Sequence, residues 1–125
     1  MATNNLTLDE LESTLKDNDI VLIDFWAEWC GPCRMFGPIF ERASENHPDI
    51  AFMKVNTEEE QKLAAVFGIQ SIPTLAIFRD NIMIFKQAGA LPENALEDVI
   101  KQVRELDMDK VRQEVEAQQA EKEAA

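Results

Sequence analysis

One ten-residue stretch is the best guide to the fold of this 125-residue chain: Asp24-Phe25-Trp26-Ala27-Glu28-Trp29-Cys30-Gly31-Pro32-Cys33. It joins the end of an apolar segment, residues 20–26, to a run in which apolar residues recur every three to four positions. The segment is apolar on both faces except at Asp24, a pattern typical of a central strand covered on two sides. The run after Cys33 has the period of an amphipathic helix over residues 32–46. The sequence therefore predicts a strand, a tight turn that carries two cysteines, and a helix.

The rest of the chain continues this alternation of strands and helices. The stretch Thr7-Leu8-Asp9-Glu10 reads as a capping box and predicts a first helix over residues 8–17, with Thr7 as N-cap and Glu10 reaching back to it. The remaining patterns predict strands at residues 50–55, 74–78 and 82–87, helices at residues 58–67 and from residue 93, and a short edge strand near residues 3–6. Because strand–helix–strand units cross over in a right-handed sense, this order predicts an α/β fold, with a central mixed β-sheet flanked by helices on both faces.

The composition argues against several classes of protein. Lys and Arg number 12 against 24 Asp and Glu, which gives a formal net charge of −12. A field of that sign repels phosphate groups, so neither nucleic acid nor an anionic membrane is an expected partner. No apolar run approaches the ~18 residues of a membrane-spanning helix. Residues 1–5 lack the basic and apolar regions of a secretory signal, so the cytoplasm is the expected location.

The two cysteines, Cys30 and Cys33, are the most informative residues. A secreted disulfide scaffold would need more pairs. A structural zinc site needs four ligands, and His47 is the only other Cys or His in the chain. An iron–sulfur centre fails on the same ligand count. We therefore expect a redox pair with no metal and no bound cofactor; the alternative is two ordinary buried cysteines.

A helix that begins at the turn would make the two thiols unequal. With Cys30 at the N-cap, its sulfur can accept hydrogen bonds from backbone N–H groups, and the positive helix end favours an anion there. Both effects are expected to lower the pKa of the Cys30 thiol and make it the nucleophile. Cys33, one turn into the helix, is expected to be more buried and to resolve a mixed disulfide. Gly31 allows the tight turn, and Pro32 fits the first helical turn, where its missing N–H costs nothing.

Three further residues are candidates for the same chemistry. Asp24, in an apolar strand, should have a raised pKa and could accept the proton of Cys33; the alternative is an exposed Asp at the end of the strand. Lys54 is its candidate counter-charge, or else a surface lysine with a partly buried stem. Pro73 stands at the entrance of a strand, where proline is tolerated. A cis Ile72–Pro73 bond would leave the Ile72 backbone free to pair with a substrate, and the sequence leaves the isomer open.

The ten-residue stretch resembles the active-site signature of bacterial thioredoxins. Pro38, the triplet Ile72-Pro73-Thr74 and the pair Gly89-Ala90 match the same pattern in order and spacing, over about residues 4–106. The resemblance implies a thioredoxin fold and a dithiol–disulfide oxidoreductase that reduces protein disulfides, since Cys-Gly-Pro-Cys is the motif of reducing members. It also implies NADPH as the electron source, through a flavin-dependent thioredoxin reductase. That reductase and disulfide-containing proteins are the expected partners.

The resemblance implies a role for each site residue as well. Cys30 resembles the attacking cysteine and Cys33 the resolving one. Asp24 resembles the buried acid, Lys54 its partner, and Pro73 the cis-proline opposite the disulfide. The substrate chain would be received by a flat collar around the disulfide, which comprises Trp29, Gly31, Pro32, Gly68, Ile72, Gly89 and Ala90.

Residues 107–125 exceed the usual end of the family and are predicted as a charged, helical extension of a domain at residues 1–106. Met108, Val111 and Val115 form an apolar stripe that lies about 140° around from the stripe of the preceding helix. Either the helix breaks near residues 106–109, or this stripe faces something else; the alternative is a weakly ordered, solvated end.

The extension also supports a second functional hypothesis. In it, the chain is a thioredoxin-fold binding or chaperone subunit that contacts its partner through residues 107–125. For the chain itself we expect a monomer, with self-association through residues 108–115 as the alternative.

Overall fold

The computed structural model describes residues 2–124 of the chain. The elements follow the predicted order, including the short first strand and a helix in the C-terminal extension. They are β1 (Thr3–Asn5), α1 (Leu8–Asp17), β2 (Ile20–Trp26), α2 (Gly31–Asn46), β3 (Ala51–Asn56), α3 (Gln61–Val66), β4 (Thr74–Arg79), β5 (Ile82–Ala88), α4 (Glu93–Glu105) and α5 (Met108–Ala124).

The strands form one mixed sheet in the order β1-β3-β2-β4-β5. Strands β1 and β2 both run parallel to β3, whereas β4 runs antiparallel to its neighbours β2 and β5. The central strand is thus β2, as its doubly apolar pattern predicts. The predicted class, an α/β fold with a mixed sheet and helices on both faces, is confirmed.

Each face of the sheet carries its own hydrophobic core, because successive side chains of a strand point to opposite sides. Leu22 belongs to the core that contains Phe36 and Phe40 of α2. Ile23, the next residue of β2, belongs to the core under α1 and α3. Asp24 therefore lies on the same face as Leu22, the face that α2 covers.

Helix α1 starts at Leu8 as predicted but is capped differently, and helix α3 starts later than predicted. Thr7 is the N-cap of α1, but its hydroxyl donates to the Glu10 carboxylate at 2.9 Å and caps no backbone N–H. The predicted capping box is therefore wrong. Helix α3 begins at Gln61 instead of residue 58, because a turn comes first: the Glu58 N–H donates to the Asn56 side-chain oxygen at 3.0 Å.

The hairpin between β4 and β5 supports the C-terminal helices. Both turn residues, Asp80 and Asn81, have positive φ, which is the geometry of a two-residue hairpin turn. Arg79 donates to the carbonyl oxygens of Val103 and Leu106, at 2.8 and 2.9 Å, where α4 ends. Asp80 pairs with Arg112 of α5 at 3.1 Å.

The helix break that the two apolar stripes suggested lies at Leu106 and Asp107. Met108 is buried, while Val111 and Val115 are half-buried. The extension is therefore helical up to Ala124, and Ala125 falls outside the described residues. None of the helices within residues 2–124 combines the length and the hydrophobicity needed to cross a membrane.

Candidate active site

The two cysteines lie where β2 passes into α2, and they form a disulfide. Cys30 is the N-cap of α2, and the Cys33 backbone N–H donates to its sulfur at 3.2 Å. Pro32 stands in the first turn, as predicted. The expected difference in burial is not seen, since each cysteine is 4% exposed. The Ile72 carbonyl oxygen lies 3.6 Å from the Cys30 sulfur.

The loop before Cys30 is held from two sides by residues that the sequence analysis did not identify. The Arg34 guanidinium donates to the Glu28 carbonyl oxygen through Nε at 3.2 Å and Nη2 at 2.9 Å. On the other side, the Trp29 indole donates to the Glu58 carboxylate at 2.7 Å. Arg34 follows Cys33 directly and is only six residues from Glu28, so the sequence could have indicated its contact with the loop. Glu58 is 29 residues from Trp29, and no local pattern connects the two.

The loop before β4 lies against the disulfide. The Ile72–Pro73 peptide bond is cis, which answers the question that the sequence left open. The Gly89 N–H donates to the Pro73 carbonyl oxygen at 2.8 Å. With the contact between Ile72 and Cys30, this bond brings two separate loops to one rim around the disulfide.

The residues predicted to form the collar are all at least partly exposed to solvent. Trp29 is 68% exposed, and together with Ile72 it lines a groove of about 340 Å³. Gly31 and Pro32 are exposed at the start of α2. Gly68, Gly89 and Ala90 are exposed on the loops after α3 and β5; the two glycines have φ of +62° and +104°, a conformation that L side chains rarely adopt.

Asp24 is buried, with 1% of its surface exposed, so the alternative of an exposed strand end is wrong. Within the described residues, neither carboxylate oxygen has a hydrogen-bond partner. Burial raises the pKa of Asp24 from 3.8 to about 7, and the positive charge of Lys54 partly opposes the rise. Asp24 is therefore able to exchange a proton near neutral pH.

Lys54 pairs with Asp24 in the β2–β3 register, but the two residues form no ion pair in the described part of the chain. Its ammonium lies 4.9 Å from the centre of the Trp26 ring. A groove of about 580 Å³ connects Lys54 and Trp26 with Cys33; it is lined by Trp26, Ala27, Glu28, Cys33, Arg34, Gly37, Pro38, Glu41 and Lys54. Trp26 was not predicted as a site residue, although it follows Asp24 by two positions and so shares its face of the sheet.

No group of three or more His, Cys, Asp and Glu side chains within residues 2–124 is placed to hold a metal ion. The single histidine, His47, lies at the other end of α2. It contacts Glu97 at 2.7 Å and Arg104 at 2.9 Å. His47 therefore belongs to a polar network between α2 and α4, away from the cysteines.

Comparisons with known proteins agree with this geometry. The family model described as Thioredoxin matches residues 2–102. The putative thioredoxin 2 of Streptomyces coelicolor is 57% identical over 119 residues, covering 95% of this chain and 89% of that protein. A mutant thioredoxin from Halobacterium salinarum superposes with a TM-score of 0.77 at 38% identity, covering 83% of this chain and 92% of its own. The oxidized mitochondrial thioredoxin 3 of Saccharomyces cerevisiae gives 0.74 at 36% identity, covering 80% and 94%.

Proposed function

Since the chain belongs to the thioredoxin family and is a thiol–disulfide oxidoreductase, we propose that it works as a cytoplasmic reductase of disulfides in other proteins. The observation that carries the proposal is the position of Cys30 as N-cap of α2, with the Cys33 N–H 3.2 Å from its sulfur. In the reduced protein, this N–H group and the positive end of the helix favour a thiolate at Cys30. The Gly31-Pro32 dipeptide between the cysteines supports the reducing direction.

In the first step, the Cys30 thiolate attacks one sulfur of a substrate disulfide. The substrate S–S bond breaks, its second sulfur leaves as a thiolate, and a mixed disulfide joins Cys30 to the substrate. Because Cys30 is only 4% exposed, the substrate must approach along the rim. Exposed Trp29 and the Ile72 backbone are the contacts that we assign to this approach, together with Gly89 and Ala90 of the loop after β5.

In the second step, Cys33 loses its proton and attacks the Cys30 sulfur. The bond between Cys30 and the substrate breaks as the Cys30–Cys33 disulfide forms, and the substrate sulfur leaves as a thiolate. Both substrate thiolates then take up protons, so two electrons have passed from the protein to the substrate. We assign the proton of Cys33 to Asp24, directly or through one water. Its pKa of about 7 suits a proton acceptor at neutral pH.

The oxidised protein must then regain two electrons. We propose that NADPH supplies them through a flavin-dependent thioredoxin reductase, so that no cofactor needs to be bound to this chain. We also propose a monomer in which residues 1–106 form the catalytic domain and residues 107–125 an extension. Burial of Met108 supports this state, because the extension packs at its base on its own domain.

The test is reduction of insulin disulfides with NADPH and a bacterial thioredoxin reductase. We expect turnover by the wild type and by Ser13→Ala, a control on the exposed surface of α1, and none by Cys30→Ser. The Cys33→Ser variant should accumulate a mixed disulfide with the substrate on Cys30. Turnover that survives Cys30→Ser would overturn the proposal, and sedimentation of the same preparations tests the monomer.

A further inference from the structure

The surroundings of Lys54 are unexpected for a lysine placed beside a carboxylate. Asp24 and Lys54 are direct partners in the parallel register of β2 and β3, so their side chains leave the same face of neighbouring strands, about 4.8 Å apart. A flexible lysine at that position can reach the carboxylate. In the described part of the chain it does not form that ion pair, and both Asp24 oxygens remain without a partner.

The ring of Trp26 is the group that Lys54 contacts instead. Trp26 follows Asp24 on the same face, and the Lys54 ammonium lies 4.9 Å from its ring centre, within the range of a cation–π contact. Within residues 2–124, the indole N–H of Trp26 is buried without an acceptor. Because this buried N–H makes no hydrogen bond, hydrogen bonding does not explain why a Trp occupies the position. Holding the ammonium of Lys54 is such a reason.

We propose that Trp26 is a positioning residue for the proton step between Cys33 and Asp24: its ring holds the Lys54 ammonium beside the Asp24 carboxylate instead of in contact with it. This inference rests on the proposed function of Asp24. A lysine in direct contact would keep the carboxylate ionised and weaken it as a base. A lysine farther away would leave the buried acid protonated at neutral pH. The ring fixes the lysine between these two extremes.

The other charged or titratable groups around this position do not replace Lys54. Cys33, Arg34 and Glu41 of α2 and Glu28 of the preceding loop line the same groove. Arg34 is engaged with the Glu28 carbonyl oxygen, and Glu41 with the Thr3 hydroxyl at 2.6 Å. On the β4 side, the register partner of Asp24 is Leu75, which carries no charge. Among residues 2–124, Lys54 is the residue whose charge lowers the pKa of Asp24 against the effect of burial.

The test is a direct titration of the Asp24 carboxyl carbon by NMR in the oxidised protein, which needs no activity. In Trp26→Leu, the freed lysine should approach Asp24 and lower its titration midpoint by roughly one pH unit. In Lys54→Met the midpoint should rise. Adding Trp26→Leu to Lys54→Met should then change nothing further, because the ring acts through the lysine. Trp26→Phe, which keeps a weaker ring, should give a smaller shift in the same direction and serves if Trp26→Leu does not fold.

Two results would overturn the inference. One is a midpoint in Trp26→Leu, or in Trp26→Phe if that variant is used, equal to that of the wild type. The other is a shift of the Asp24 midpoint that is equal whether Trp26 is replaced in the wild type or in Lys54→Met. That result would mean that the ring acts by excluding water. Failure of the proposed function is a separate result: Asp24→Asn would then leave the rate of the second step unchanged, whatever the carboxyl titration shows.

Discussion

Replacement of Asp24 by Asn should change how the stability of the oxidised protein depends on pH. Below about pH 4 the carboxyl is neutral in both the folded and the unfolded chain. Between there and about pH 7 only the unfolded chain ionises, because the folded pKa is raised from 3.8 to about 7. The wild type therefore loses stability across this interval, and above it the loss is constant.

The size of the loss follows from the pKa. A rise of about three pH units at ~1.4 kcal/mol per unit gives about 4 kcal/mol. The Asn side chain is neutral at every pH, so the free energy of unfolding of the variant does not fall in this way. Its free energy of unfolding minus that of the wild type should rise by about 4 kcal/mol between roughly pH 4 and pH 8. Ionisations that both proteins share cancel in the difference.

The assay is urea unfolding of both oxidised proteins at a series of pH values. Asp24→Leu is the matched control, because it is also neutral but introduces no buried amide. It should show the same pH trend with a different constant offset. A difference between Asp24→Asn and the wild type that stays flat, or that falls as the pH rises, would show that Asp24 does not have a raised pKa in the folded protein.

Three further predictions concern the rest of the fold, each measured by urea unfolding. Arg79→Met removes the donor to the carbonyl groups at the end of α4 and should destabilise the protein by about 1–3 kcal/mol; an unchanged midpoint would show that water replaces it. Phe40→Ala leaves a cavity in a fully buried aromatic cluster and should cost about 3–5 kcal/mol; a loss under ~1 kcal/mol would mean that the core collapses around it. Hydrogen bonds from Arg104 lower the pKa of Asp49 to about 2, so Asp49→Asn should destabilise the protein above about pH 4. This difference in stability should vanish as the pH falls through 2. A variant that is still less stable than the wild type there would contradict the prediction.

The elements around the disulfide could be predicted from local patterns. Residues 20–26 are apolar on both faces except at Asp24, a pattern typical of a central strand, and the period after Cys33 is that of a helix. The burial of Asp24 followed from its place in such a strand. These predictions succeed because hydrophobic burial determines both the element and its position in the sheet.

The details of the site depend on contacts between residues distant in sequence. The bond from Trp29 to Glu58 and the placement of Lys54 over Trp26 depend on how β2, β3 and the following turn pack, and no local pattern encodes that packing. The start of α3 was predicted too early for a related reason. Residues 58–60 have helical propensity, but the Asn56 side chain accepts a hydrogen bond from the Glu58 N–H, which forms a turn instead.

The proposed chemistry depends on Cys30, which the start of α2 holds as the reactive thiolate. Its most direct test is alkylation of the reduced protein with a small reagent over a range of pH, with the labelled residue identified by mass spectrometry. We expect labelling at Cys30 before Cys33, with a midpoint well below the ~8.5 of a free thiol. Labelling of Cys33 first, or a Cys30 midpoint near ~8.5, would contradict it.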